Sequence, residues 1–141
     1  MISLKENKAA YDRIKLKKAA EVDITKFRGL ETELFGEKIK TPICVVSTAF
    51  QRMAHPEGEV ATAKACESTG TPQVLSNWAT STIEEVSEAA PSGLKMLQIY
   101  LSKFPHVNKD VWKRAKEAGF KALCLTTDTQ LLGKRERDVR L

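Results

Sequence analysis

The sequence predicts an α/β fold built on a parallel sheet, and three observations carry that prediction. Short apolar, β-branched runs recur four times, at residues 43–46, 72–75, 94–100 and 122–125. Helical signals follow the first three runs. Every run ends in polar residues at its C-terminal tip: Ser47-Thr48, Ser76-Asn77, Gln98 to Tyr100 and Thr126 to Asp128. Strand and helix in alternation leave an open doubly wound sheet or part of a (β/α)8 barrel. Polar tips on all strands favour the barrel, whose binding face is assembled from every strand end, whereas an open sheet gathers its site at one crevice. The expected architecture is a partial (β/α)8 TIM barrel, about its first four β/α units, preceded by a helix and a small hairpin.

Residues 4–16 have helix-forming composition with a weak apolar stripe of Ala9, Ala10, Tyr11 and Ile14, which predicts a surface helix. Residues 32–40 alternate loosely about Gly36-Glu37 and predict a hairpin. In the first unit, Ile43-Cys44-Val45-Val46 reads as a strand buried on both faces, and Pro56 with Glu57, Gly58 and Glu59 as a helix start whose carboxylates face the positive end of the dipole.

In the second unit, residues 72–75 form the strand. Ser81 and Glu84 have capping-box spacing, and Ile83, Val86 and Ala90 make an inward stripe that stops at Pro91. The third unit has a strand over 94–100, interrupted by the polar Gln98. Asn108 is the expected N-cap of its helix, with Val107 and Trp112 at staple positions, Val111, Ala115 and Ala118 inward, and Gly119 as the stop. The fourth strand, 122–125, ends in Thr126-Thr127-Asp128-Thr129.

The length of 141 residues supports one domain, and 42% hydrophobic with 29% charged residues is a globular composition. No apolar run approaches the ~20 residues of a membrane span, and the N-terminus lacks a signal-peptide core, so an intracellular protein with no membrane partner is expected. Cys44, Cys66 and Cys124 show neither metal-ligand nor redox spacing and are expected to be buried free thiols. The 23 basic and 18 acidic residues are interspersed, and residues 134–140 alternate in sign, which speaks against a nucleic-acid face.

Taken in order, 4–14 (LKENKAAYDRI), 42–58 (PICVVSTAFQRMAHPEG), 75–86 (LSNWATSTIEEV), 98–100 (QIY), 118–129 (AGFKALCLTTDT) and 133–136 (GKRE) resemble the FMN-dependent 2-hydroxy-acid oxidases, the glycolate oxidase family. The resemblance implies a (β/α)8 barrel with FMN across its C-terminal mouth, oxidising (S)-2-hydroxy acids to 2-oxo acids with oxygen as acceptor in a peroxisomal setting. It implies flavin contacts for Ser47, Thr48, Ala49, Ser76, Gln98 and Thr126, and substrate contacts for Tyr100, Arg135 and Trp78. The residue types suit these roles. Amides and hydroxyls pair with flavin ring carbonyl and nitrogen groups, and an arginine fork suits a carboxylate. From the residues alone, Ser76 and Thr126 serve equally as strand-end caps, Gln98 as a paired polar residue and Arg135 as a surface charge.

Ser47 and Gln130 stand where the family usually has proline, and Ser102 where a second tyrosine is frequent. Such a barrel needs ~250 residues. The whole chain, residues 1–141, is therefore expected to be the N-terminal half of the family's domain. The resemblance places the proton-abstracting histidine, a second substrate arginine, the lysine near the flavin and the phosphate loops in the other half. His55 is expected to be a helix-start or packing residue rather than a base, and His106 has no counterpart. No peroxisomal tripeptide ends the sequence. The expected partner is a small 2-hydroxy acid, with self-association or aggregation through open strand edges. A non-catalytic half-barrel acting as an interaction protein is the alternative.

Overall fold

The computed structural model describes residues 2–17, 23–129, 131, 133–135 and 139, and the side chain of Ile24 is not among them. Gln130 and residues 136–138 and 140 of the alternating C-terminal run, with the last residue of the GKRE stretch, lie outside the described residues. The first element, α1 (Ile2–Arg13), has no buried residue, as its weak apolar stripe predicts. An antiparallel hairpin follows, β1 (Thr32–Leu34) and β2 (Glu37–Ile39), with Thr32 opposite Ile39. Its turn sits at Phe35-Gly36, one residue before the expected centre, and both have positive φ (53° and 79°), the twist a two-residue hairpin turn requires. Ile39 is buried, and Glu37 pairs with Lys121 at 2.8 Å, fastening the hairpin to the main sheet.

The main sheet is parallel, in the order β3 (Gln73–Leu75), β4 (Lys95–Ile99), β5 (Ala122–Leu125). Residues 43–46 add to its β3 side through a single parallel bridge from Val45 to Gln73, with Val45 N donating to Pro72 O (2.9 Å) and Val74 N to Val45 O (2.8 Å). The expected strand buried on both faces is thus an edge segment, with Ile43 66% and Val46 69% exposed. A β-branched run is buried only where something lies against both faces and both edges, and among the described residues one edge alone is paired.

Three helices, α2 (Gly58–Thr69), α3 (Ile83–Ala89) and α4 (Pro105–Glu117), follow residues 43–46, β3 and β4. Ala63, Ile83, Val86 and Ala115 of these helices join Leu75, Leu97, Ile99, Ala90 and Phe120 in one cluster, so the helices cover one face of the sheet. Alternation along β4 then sends Met96 and Gln98 to the opposite face. Strands in sequential order with helices on one face are what an inward-curling βα series produces.

Helix starts differ from expectation by a residue or more. Thr82, not Ser81, caps α3: Thr82 N donates to Glu85 Oε2 (2.7 Å) and Glu85 N to Thr82 Oγ1 (3.1 Å), a complete capping box. Glu84 instead receives both Arg114 bonds (2.8 and 2.9 Å), tying α3 to α4, and the guanidinium holds its carboxyl at about 2. Pro105 opens α4, the position where its missing N–H costs nothing. Asn108 lies inside that helix, where its amide bonds the backbone N and O of Ser102 (2.9 and 3.0 Å), and Trp112 is exposed rather than stapled. Pro56 precedes α2 rather than starting it. Gly119, at φ 78°, ends α4 as expected.

Only one of the three thiols is buried. Cys66 is a buried residue of α2, where burial pushes its thiol up, whereas Cys44 is half-buried and Cys124 exposed. Cys124 pairs in register with Gln98 and so faces away from the helices, on a strand whose outer edge no described residue covers.

Candidate functional site

The strand tips converge on Gln98. Its side chain is 6% exposed and its amide is fixed at both ends: Oε1 accepts from Asn77 N (3.0 Å) and more weakly from the Ser76 hydroxyl (3.5 Å), while Nε2 donates to Thr126 Oγ1 (3.0 Å). Ser76 Oγ accepts from Trp78 N (3.1 Å), and Thr126 N donates to Ile99 O (3.0 Å). Parallel register aligns the three tips, so Ser76, Gln98 and Thr126 form one polar row on the face away from the helices. Each is placed by the end of a strand, the least mobile support for a side chain on this fold.

Beside this row opens a cavity of about 970 Å³, within the size range of small-molecule and cofactor sites. Ala49, Phe50, Asn77, Trp78, Ile99, Tyr100 and Arg135 are among its walls. Phe50 and Trp78 meet edge to face, with ring centroids 5.9 Å apart and planes at 77°, and Phe50 N donates to Trp78 O (3.1 Å). Phe50 holds a left-handed backbone (φ 55°), uncommon for a bulky residue and found where surrounding structure enforces it. Tyr100 is 38% exposed and Arg135 is exposed, so the one phenol and one guanidinium on the cavity wall are both open to a ligand.

The sequence-predicted residues therefore fall into three groups. Ser76, Gln98 and Thr126 are joined by hydrogen bonds. Ala49, Trp78, Tyr100 and Arg135 share the cavity. Ser47, half-buried, and Thr48, exposed, line no part of it; Thr48 borders a neighbouring hollow of about 690 Å³ that also includes His55. His55 Nδ1 accepts from Glu57 N (3.2 Å), a turn contact ahead of α2, and His106 packs against Phe104. Neither histidine lines the cavity with Arg135.

Sequence reasoning missed Phe50 and Asn77, although both adjoin residues it named. It also misread Glu59. That carboxylate is fully buried and faces no solvent at the helix end: Oε1 accepts from Gln51 N (3.0 Å) and Thr80 N (2.9 Å), and Oε2 from Thr80 Oγ1 (2.7 Å) and Ser81 Oγ (3.0 Å). Burial by itself would raise its pKa. The hydroxyl and amide of Thr80 and the amide of Gln51 outweigh it and hold the group at about 2.

The family model for the FMN-dependent dehydrogenases matches residues 1–141. The chain belongs to that family. Among its relatives, human 2-hydroxyacid oxidase 1 is 46% identical and spinach glycolate oxidase 44%, each aligned over 98% of this chain. The chain spans 37% of the length of both relatives. Solved structures of family members superpose closely. A mandelate oxidase with 3,3-difluoro-2-hydroxy-3-phenylpropionic acid gives a TM-score of 0.86 at 31% identity, over 98% of this chain and 41% of that one. The flavin-binding domain of baker's yeast flavocytochrome b2 gives 0.85 at 34% identity, over 96% of this chain and 36% of that one.

Proposed function

We propose that this chain forms the flavin- and substrate-contacting part of an FMN-dependent oxidase that converts (S)-2-hydroxy acids to 2-oxo acids, built as about the first four units of a (β/α)8 barrel. The observation that carries the reading is the hydrogen-bonded row of Ser76, Gln98 and Thr126 at the strand tips, next in the chain to Asn77, Ile99 and Tyr100, which line a cavity shared with Arg135. The residues fit a flavin ring. Gln98 uses one of its two amide hydrogens on Thr126, and the half-buried Thr126 hydroxyl stays accessible, so the row has donor capacity left for ring carbonyl and nitrogen atoms.

FMN, when bound, would supply the two-electron acceptor for this oxidation, with oxygen as the final acceptor. The chain's own groups bind and orient. Gln98, Thr126 and Ser76 would hold the polar edge of the ring, with Ser47, Thr48 and Ala49 supplying further contacts to it. Arg135 would take the substrate carboxylate as a fork, the Tyr100 hydroxyl would hydrogen-bond beside it, and Trp78 with Phe50 would wall that side. The base that removes the substrate proton lies outside these residues. Human 2-hydroxyacid oxidase 1 and spinach glycolate oxidase carry the substrate class in their names, and a small 2-hydroxy acid is the ligand assigned to this cavity. Oxygen as acceptor yields peroxide, and a peroxisomal setting fits that product.

Arg135→Ala tests the reading without endangering the fold, because the side chain is exposed. Glycolate affinity, followed through Trp78 emission in a Trp112→Phe background with FMN present, is expected to fall about ten- to hundred-fold, the range for a lost hydrogen-bonded charge pair. Arg135→Lys should recover only part of it, since an ammonium keeps the charge and loses the fork. Equal glycolate binding by all three forms would overturn the assignment.

The open edges favour self-association. Ile43 and Val46 on one side and Leu125, 45% exposed, on the other present apolar strand edges without proline or inward charge. Sedimentation at micromolar concentration is expected to show dimers or larger species, and a single sharp monomer boundary would rule this out.

A further inference from the structure

Two loops bring the aromatic wall to the cavity, one between residue 46 and α2 carrying Phe50, the other between β3 and α3 carrying Trp78. Each loop joins its own strand tip to its own helix, yet their rings meet edge to face. Glu59, in the first turn of α2, is inserted between them. One carboxylate oxygen takes the Gln51 amide from the first loop and the Thr80 amide from the second; the other takes the Thr80 and Ser81 hydroxyls. Thr80 Oγ1 also accepts from Arg52 N (3.1 Å), returning the link to the first loop. The approach is close: at Gly58, whose φ is +53°, an added Cβ would stand 2.6 Å from Arg52 Cγ and 3.3 Å from Thr80 Oγ1.

Among the described residues no cation pairs with Glu59, and four neutral donors satisfy a fully buried charge. A group serving only the helix dipole needs no such cage and sits at the surface. We infer that Glu59 is a positioning residue that fixes the spacing of the Phe50 and Trp78 loops and thereby the width of the cavity beside the substrate's side group. The width sets which 2-hydroxy acids enter, a consequence that rests on the function proposed above; the loop spacing itself does not.

Glu59→Gln keeps the volume and one carbonyl acceptor but replaces the charged acceptor of both hydroxyls with a donor. The test uses the full chain in a Trp112→Phe background, leaving Trp78 as the single indole. Amide hydrogen exchange is expected to speed up about tenfold at Gln51, Arg52 and Thr80 and to stay unchanged at Leu97 and Ile99, since charge-assisted bonds lost locally open only the loops. With FMN present, the ratio of dissociation constants for glycolate and (S)-mandelate is expected to shift at least threefold, a specificity change that uniform loosening of the fold would not cause.

Unchanged exchange in the loops, or equal acceleration in β4, would overturn the inference. So would faster loop exchange with an unaltered ligand ratio. If Glu59→Gln fails to fold, Thr80→Val supplies the same readings, because it removes the hydroxyl that links Glu59 to Arg52 N while keeping the Thr80 amide. A parent chain that binds neither acid refutes the functional reading, and the exchange comparison still decides whether Glu59 spaces the loops.

Discussion

Leu97→Ala is expected to destabilise the chain by about 2–5 kcal/mol, the range for truncating a buried leucine. Leu97 is 3% exposed at the middle of β4, the central strand, with Leu75 and Leu123 in register on either side and Ile83, Val86, Ala115 and Phe120 in the same cluster. The cavity left by the side chain would be walled by two strands and the helices over them, none of which can collapse without disturbing the parallel ladder. Against a total of roughly 5–15 kcal/mol for a domain, that loss is a large fraction. Leu125→Ala supplies the contrast. Leu125 is 45% exposed on the edge strand, and its truncation should cost less than about 1 kcal/mol. Urea unfolding followed by far-ultraviolet circular dichroism measures both, and similar losses at the two positions would show that the sheet's core does not lie against the helices at β4.

The contrast between Leu97 and Leu125 also marks what was legible in the sequence. Apolar runs separated by helical signals identify strands because period and turn chemistry are local, and β3, β4, β5 and the helices after residues 46, 75 and 99 all occur in the order those signals give, within a few residues of the expected bounds. Whether a run is central or peripheral depends on which other segments lie against it, and composition carries no trace of that: residues 43–46 read as the strand buried on both faces, yet Val46 is exposed, while Leu97, in the run interrupted by Gln98, is buried. Cys124 was misjudged for the same reason. Helix starts slipped because several residues around each start are competent caps. Ser81 and Thr82 both precede a glutamate by three, and tertiary demand chose between them, since Ser81 was needed by Glu59.

The candidate site was legible as far as the strand tips. Polar residues ending apolar runs are conspicuous, and Ser76, Gln98 and Thr126 meet because parallel register brings equivalent tips together. Glu59 was not legible. A glutamate in the first turn of a helix has an ordinary explanation, and only the folded positions of residues 51, 80 and 81 reveal that four donors converge on it.

Acidification tests that buried carboxylate directly. Its folded value of about 2 lies below the ordinary 4.5, so Glu59 stabilises the fold fully above the higher value, and the contribution disappears as pH falls through the lower one. A shift of that size corresponds to roughly 3 kcal/mol lost between about pH 5 and pH 2. Glu84 is also held at about 2, by Arg114, but its side chain is 46% exposed and solvent screens the pair, so its share is smaller. Comparing the parent chain with Glu59→Gln removes Glu84 from the difference, because it titrates alike in both. At pH 6 the parent is expected to be the more stable by urea unfolding, since the glutamine leaves two hydroxyls without their charged acceptor. The gap should narrow by roughly 3 kcal/mol as the pH approaches 2, where the protonated glutamic acid and the glutamine present the same neutral donor and acceptor to Thr80 and Ser81. A gap that stays constant from pH 6 to pH 2 would mean that the loops draw no stability from the charge and that shape alone holds them together.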